Sequence, residues 1–135
     1  MIPSVPAVLV DLAGKVAANA APAANPTDRA ATLGLTAMLM GLAAEAWDGA
    51  AHHLVMENRA IRALLARGAA HVPPPPERPE DDFRVSALGE ENARLRAALI
   101  TLQIAVEGCD GAMNDAIWAE LRASTERRKQ RGSAV

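Results

Sequence analysis

The sequence predicts an all-α fold: a four-helix bundle-like domain with a short first helix, one long second helix and a hairpin of helices three and four. Alanine, the best helix former, supplies 31 of the 135 residues, whereas leucine, valine and isoleucine together supply 28. Aromatic residues, which β-sheets favour, make up only 2% of the chain. Apolar residues recur at helical spacing in four segments, which stretches rich in proline or glycine separate.

The first predicted helix runs from about Val5 to Ala20. Ser4 stands where a capping residue is expected, and Asp11 and Lys15 are spaced to form an ion pair on the outer side of the helix. The apolar residues of this segment recur every three or four positions, at Val5, Val8, Leu9, Leu12 and Val16. This spacing predicts one buried stripe along the helix.

The second predicted helix is long. Asn25 is placed to cap it, Pro26 suits its first position, and the helical pattern continues to about Ala70. Three glycines inside it each cost about 1 kcal/mol relative to alanine, so the sequence leaves open whether the helix is continuous or kinked near Gly49.

Residues 71–84 form a predicted linker, because four consecutive prolines cannot continue a helix and an acidic stretch follows them. A third helix is predicted from about Val85 to Glu107. A turn over residues 108–111 follows, with a glycine at each end, and its Asp110 is placed to cap the fourth helix. The fourth helix frays into a basic tail over residues 126–135. We expect residues 1–135 to form a single helical domain.

One helical phrase occurs twice. The stretch "LVMENRAIRALL" at 54–65 returns as "LGEENARLRAAL" at 88–99, 34 residues later, with six of twelve positions identical. In each copy one asparagine and three aliphatic residues share a narrow stripe with spacings of four, three and four, which is the pattern of a seam between helices packed at a shallow angle. The predicted interface residues are Leu54, Asn58, Ile61 and Leu65 in the first copy and Leu88, Asn92, Leu95 and Leu99 in the second.

An amide in an apolar seam costs stability unless it finds a partner, and in coiled coils such an asparagine selects the register and the number of helices. We therefore expect Asn58 and Asn92 to pair, either with each other or across a dimer axis. In a symmetric hairpin the two would miss each other by more than a turn, so the linker or a second chain must remove the offset. On this basis, Asn58→Leu is expected to raise thermal stability and broaden the distribution of oligomers. The alternative is that both copies are ordinary amphipathic helices of an alanine-rich protein.

A metal site is the main chemical alternative. His53 and Glu57 are four residues apart and share a face of the second helix, and Glu91 adds a carboxylate from the third. Helical bundles that bind metals present such ligands inward, but the usual Glu-x-x-His motif is absent from the sequence. These three residues are weak candidates, and we predict no cofactor. The single cysteine, Cys109, has no neighbouring base to activate it as a nucleophile.

Charge and composition narrow the partners. The net charge of −2 gives no overall attraction to nucleic acid, although five basic residues against one acidic residue in the last fourteen leave a DNA-associated regulator as a second alternative. The longest uncharged run, residues 30–44, is too short on its own to span a bilayer. We expect a cytoplasmic bacterial protein that does not act on a membrane.

The sequence favours a non-enzymatic module over an enzyme, because it contains no glycine-rich phosphate loop, paired Cys-x-x-Cys or nucleophile elbow. An alanine-rich bundle has a thin core, and such bundles often gain buried surface by associating. We therefore expect a homodimer that also docks a protein partner through its helical faces.

Overall fold

The computed structural model describes residues 5–19 and 25–129, and within them the chain is all-α with no strand. The four helices are α1 (Val5–Asn19), α2 (Pro26–Arg67), α3 (Val85–Val106) and α4 (Gly111–Arg127). This confirms the predicted fold class, with a short first helix, a long second helix and a hairpin of α3 and α4. The proposed cap Ser4 and the end of the basic tail, residues 130–135, lie outside the described residues.

The chain divides into two compact units, residues 1–49 and residues 50–135. The second helix contributes to both, and it is helical from Pro26 to Arg67 with Gly49 included. The prediction of a single domain over residues 1–135 stays a prediction.

In the first unit, burial follows a spacing of three and four residues on each helix. Leu12 of α1 is 3% exposed, and Thr36 and Ala43 of α2 are 5% and 8% exposed. The predicted stripe of α1 is wider than its buried face, because Leu9 and Val16 are each 47% exposed. The expected ion pair on the outside of α1 is present, with 2.9 Å between Lys15 Nζ and Asp11 Oδ2.

In the second unit, α2 and α3 run parallel. Asn58 meets Asn92, and ten residues further along both helices the Gly68 backbone lies against the Leu102 side chain. Both contacts join residues that are 34 apart, so the two helices advance together over about 15 Å. The two copies of the phrase therefore lie side by side in the same direction.

The linker makes this parallel arrangement possible. After Arg67 the chain turns through Gly68 to Val72, and residues 73–84 form no regular secondary structure. Twelve extended residues span up to about 40 Å, which exceeds the roughly 24 Å needed to return to the start of α3 beside residue 51. The linker is tied down on the way, because Glu80 accepts hydrogen bonds from both Arg59 and Arg62.

The fourth helix runs back antiparallel to the other two. Asp110 caps α4 by accepting a hydrogen bond from the Met113 backbone N–H, and it also pairs with His71 near the end of α2. At the other end of α4, Ser124 donates a hydrogen bond to Glu57, a full helix length away. The three helices enclose one cluster of buried side chains: Ile61, Leu64, Leu65, Leu95, Leu99, Leu102, Val106, Met113 and Ile117.

Candidate functional site

The two seam asparagines are hydrogen-bonded to each other within one chain. The Asn92 Nδ2 donates to the Asn58 Oδ1 at 2.9 Å, and the Asn58 Nδ2 donates to the Leu88 carbonyl at 3.2 Å. Asn58 is 1% exposed and Asn92 is 7% exposed. Because a buried amide without a partner costs about 1–3 kcal/mol, this pairing favours the register in which the two asparagines are level.

Two equivalent ion pairs join the two copies of the phrase beside the asparagine pair. Arg96 of α3 binds Glu57 of α2 at 2.7 Å, and Arg62 of α2 binds Glu91 of α3 at 3.0 Å. Each glutamate has an equivalent position in the other copy of the phrase, 34 residues away on the other helix. The arginine that binds the glutamate lies five residues after that equivalent position. These are the g and e positions of a parallel coiled coil, where charged pairs set partner choice and orientation. Each copy of the Glu-Asn-x-x-x-Arg phrase thus contacts the other through its glutamate, its asparagine and its arginine.

Glu57 connects all three helices of the second unit. It is 2% exposed, and its carboxylate accepts hydrogen bonds from Arg96 of α3 and from Ser124 of α4, the latter at 2.9 Å. Arg128, just after α4, binds the same carboxylate. Burial raises the pKa of Glu57, but bonds from the Ser124 hydroxyl and the Asn92 amide and the charges of both arginines outweigh it, so the pKa lies below its usual value of 4.5.

Glu91 occupies the matching position on α3 and has its own set of cations. Two hydrogen bonds from Arg94, together with one from Arg62, lower its pKa. Arg62 also binds Glu80 at 3.0 Å, so the linker joins the network on this side. The result is one polar layer in which every carboxylate that faces the seam has an arginine partner.

The structure places seven of the eight predicted interface residues in the buried seam, and the eighth, Leu54, is half-buried. Sequence reasoning did not find the direction of the helices or the contributions of Ser124 and Arg128 to the site. The constant separation of 34 residues between matching positions was the available signal for a parallel pair.

The three weak metal candidates are not assembled into one site. Glu57 and Glu91 are held by arginines, and the ring of His53 stacks edge-on against His52 with 6.0 Å between their centroids. Among the residues that the structure describes, no group of three or more His, Cys, Asp or Glu side chains is arranged to hold a metal ion.

The basic tail is partly used within the chain. Arg128 binds the buried Glu57, Arg127 binds Glu120, and Lys129 pairs with Glu126 at 2.7 Å. Cys109 is exposed, and its thiol donates to the carbonyl of Ala105.

The third helix also carries a second apolar stripe, on its outer side. Ala93, Ala97, Ile100 and Ile104 repeat the spacing of four, three and four, and all four are exposed. Ile100 is 58% exposed and Ile104 is 69% exposed, which is unusual for isoleucine in a folded helix. We call these four residues the outer stripe.

No protein-family model, no curated protein and no solved structure matches this chain.

Proposed function

We propose that this chain is a non-enzymatic helical interaction module that forms a homodimer through the outer stripe of α3. The observation that carries the proposal is the exposure of Ile100 and Ile104 on a heptad-spaced stripe. The inner seam of α3 already has a partner in α2, so association must use another surface. A stripe that meets its own copy across a two-fold axis is the commonest way in which soluble proteins dimerise.

The expected affinity is modest. Burying an isoleucine contributes about 1.5–3 kcal/mol, so two from each chain contribute about 6–12 kcal/mol, against an association cost that starts at about 4 kcal/mol. The largest net gain is therefore about 8 kcal/mol, so we expect a dissociation constant of about 1 μM at the tightest. In this function the polar layer keeps α2 and α3 paired within each chain, which leaves the outer stripe free to select a second copy or another apolar helix.

The test is sedimentation velocity over a range of about 1–100 μM, with wild type compared with Ile100→Glu/Ile104→Glu. The wild type is expected to shift from monomer to dimer, and the variant is expected to stay monomeric with unchanged helix content. Ala105→Glu is the matched control, because Ala105 is exposed on the same helix but lies outside the stripe. Equal association of the wild type and the double variant would refute this surface.

The alternatives that the sequence left open receive no comparable support. A small metal- or ligand-binding bundle depends on Glu57 and Glu91, and a DNA-associated regulator depends on the basic tail. Several of these charges neutralise one another inside the chain, which leaves fewer of them for a metal or for phosphates.

A further inference from the structure

The part of α2 in the first unit is apolar on every side and exposed on most of them. Leu33, Leu35, Met38 and Met40 are between 45% and 60% exposed. At 100° per residue, Leu33 and Met40 lie on one side of the helix, Leu35 lies roughly 150° away, and Met38 is about 60° further round. A helix with apolar residues all round is normally enclosed, either in a large protein core or in a membrane.

The length of this apolar segment matches a bilayer. Residues 30–44 carry no charge, and an apolar stretch of 18 residues in α2 is only 12% buried. Eighteen helical residues extend about 27 Å, close to the thickness of the hydrocarbon layer of a membrane. The core helices of soluble proteins can be as long and as apolar as this stretch, but they are mostly buried, whereas this stretch is mostly exposed.

The ends of the segment have the residues that suit a membrane surface. Trp47 is 64% exposed at the C-terminal end, and tryptophan concentrates where lipid headgroups meet hydrocarbon. Asp28 and Arg29 stand at the N-terminal end. The neighbouring α1 is also apolar outside, with Val10 74% exposed, and its Asp11–Lys15 pair adds no net charge.

We propose that the helices of the first unit, α1 and the N-terminal part of α2, insert into a lipid bilayer. Lipid is favoured over a second copy of the chain because a partner protein covers one side of a helix, whereas hydrocarbon covers all of them. The expectation that the protein does not act on a membrane was based on the length of the uncharged run alone. The exposure of the apolar side chains in several directions is the further observation on which this proposal rests.

The experiment is flotation of the full-length chain with vesicles of neutral phosphatidylcholine at high salt, where electrostatic adsorption is suppressed. The wild type is expected to float with the vesicles and to resist extraction by alkaline carbonate. Leu35→Arg/Met38→Arg is expected to reduce partitioning more than tenfold, because charges near the bilayer centre are strongly disfavoured. The control, Ala105→Arg/Ala119→Arg, adds the same charges at exposed positions of the second unit and is expected to float like the wild type.

A fluorescence measurement separates insertion from other causes of flotation. In a Trp118→Phe background Trp47 is the only tryptophan, and its emission is expected to shift to the blue on vesicles. Lipids brominated near the headgroup are expected to quench it more than lipids brominated near the bilayer centre. A wild-type chain that stays with the lipid-free fractions would overturn the proposal. An oligomer in those fractions that Leu35→Arg/Met38→Arg dissociates, and Ile100→Glu/Ile104→Glu does not, would assign the surface to a second copy. Arginine variants that float as well as the wild type would also overturn the proposal.

Discussion

At the scale of single residues, Glu57 combines burial with polar partners from several parts of the second unit. It is charged, almost fully buried and bonded to groups from α3, α4 and the residue that follows α4. A buried carboxylate is tolerated only when its charge is matched and its oxygens are hydrogen-bonded, and both conditions are met here. Glu57 therefore ties the position of α4 to the pairing of α2 with α3.

Acid should destabilise the second unit partly through Glu57. Its pKa is lowered in the folded chain, so its stabilising effect is fully present above the unfolded value of 4.5 and is lost as the pH falls through the folded value. Glu57→Gln is expected to cost about 1–3 kcal/mol at neutral pH, because two arginines lose their anion. The same change is expected to flatten the pH dependence of the unfolding free energy as the pH falls below the unfolded value of 4.5.

Urea unfolding measured across this pH range checks the prediction. Glu77→Gln is the matched control, since Glu77 is an exposed residue of the linker. A profile as steep in Glu57→Gln as in the wild type would show that Glu57 is not the titrating group.

The residue-level chemistry was only partly accessible from the sequence. The stripe spacing placed Asn58 and Asn92 in a seam, because helical geometry fixes which residues share a face. The partners of Glu57 were not accessible, because Ser124 and Arg128 are about 70 positions away in the chain. No local pattern reports a contact between residues so far apart in sequence.

At the scale of helices, the register between α2 and α3 depends on a glycine as well as on the asparagines. A Cβ atom added at Gly68 would lie 2.5 Å from one methyl carbon of Leu102 and 2.6 Å from the other, and Leu102 is fully buried. The Leu102 side chain occupies the space that a Cβ atom at position 68, just after the end of α2, would take. In α3, by contrast, a Cβ atom added at Gly89 would meet nothing within 4 Å.

These two glycines give a paired test of the parallel register. Gly68→Ala is expected to destabilise the chain by about 1–3 kcal/mol through overpacking against Leu102. Gly89→Ala is expected to stabilise it by about 0.5–1 kcal/mol, because alanine is the better helix former and the space is open. Urea denaturation monitored by circular dichroism measures both. A stabilising effect of alanine at position 68 would be incompatible with the described contact between α2 and α3.

At the scale of the whole molecule, we expect the asparagine pair to affect both the stability of the chain and its oligomeric state. Asn58 and Asn92 are bonded to each other, so replacing one leaves the other without its partner. The single change Asn58→Leu is therefore expected to cost about 1–3 kcal/mol, which reverses the direction expected from the sequence alone. The paired change Asn58→Leu/Asn92→Leu removes both amides and is expected to raise stability by about 1–2 kcal/mol.

The paired change is also expected to reduce specificity. Without the amides, leucines pack almost equally well in neighbouring registers and with other chains. Sedimentation velocity of Asn58→Leu/Asn92→Leu is expected to show a broader distribution of species than the wild type, and thermal melting gives the change in stability. Leu95→Ile, which conserves volume in the same seam, controls for altered packing. A double variant with one sharp species would show that the amides do not select the partner.

The sequence by itself determined the four helices and which residues of α2 and α3 share a narrow stripe with an asparagine in it. Both follow from local spacing, proline positions and one repeated phrase, and each of these acts within a few turns of helix. Only the tertiary structure decided that α2 and α3 run parallel, because a stripe with spacings of four, three and four fits either direction equally well. The extended linker made the parallel choice possible, and the matched Asn–Asn and Glu–Arg contacts, which form only between distant segments, stabilise it.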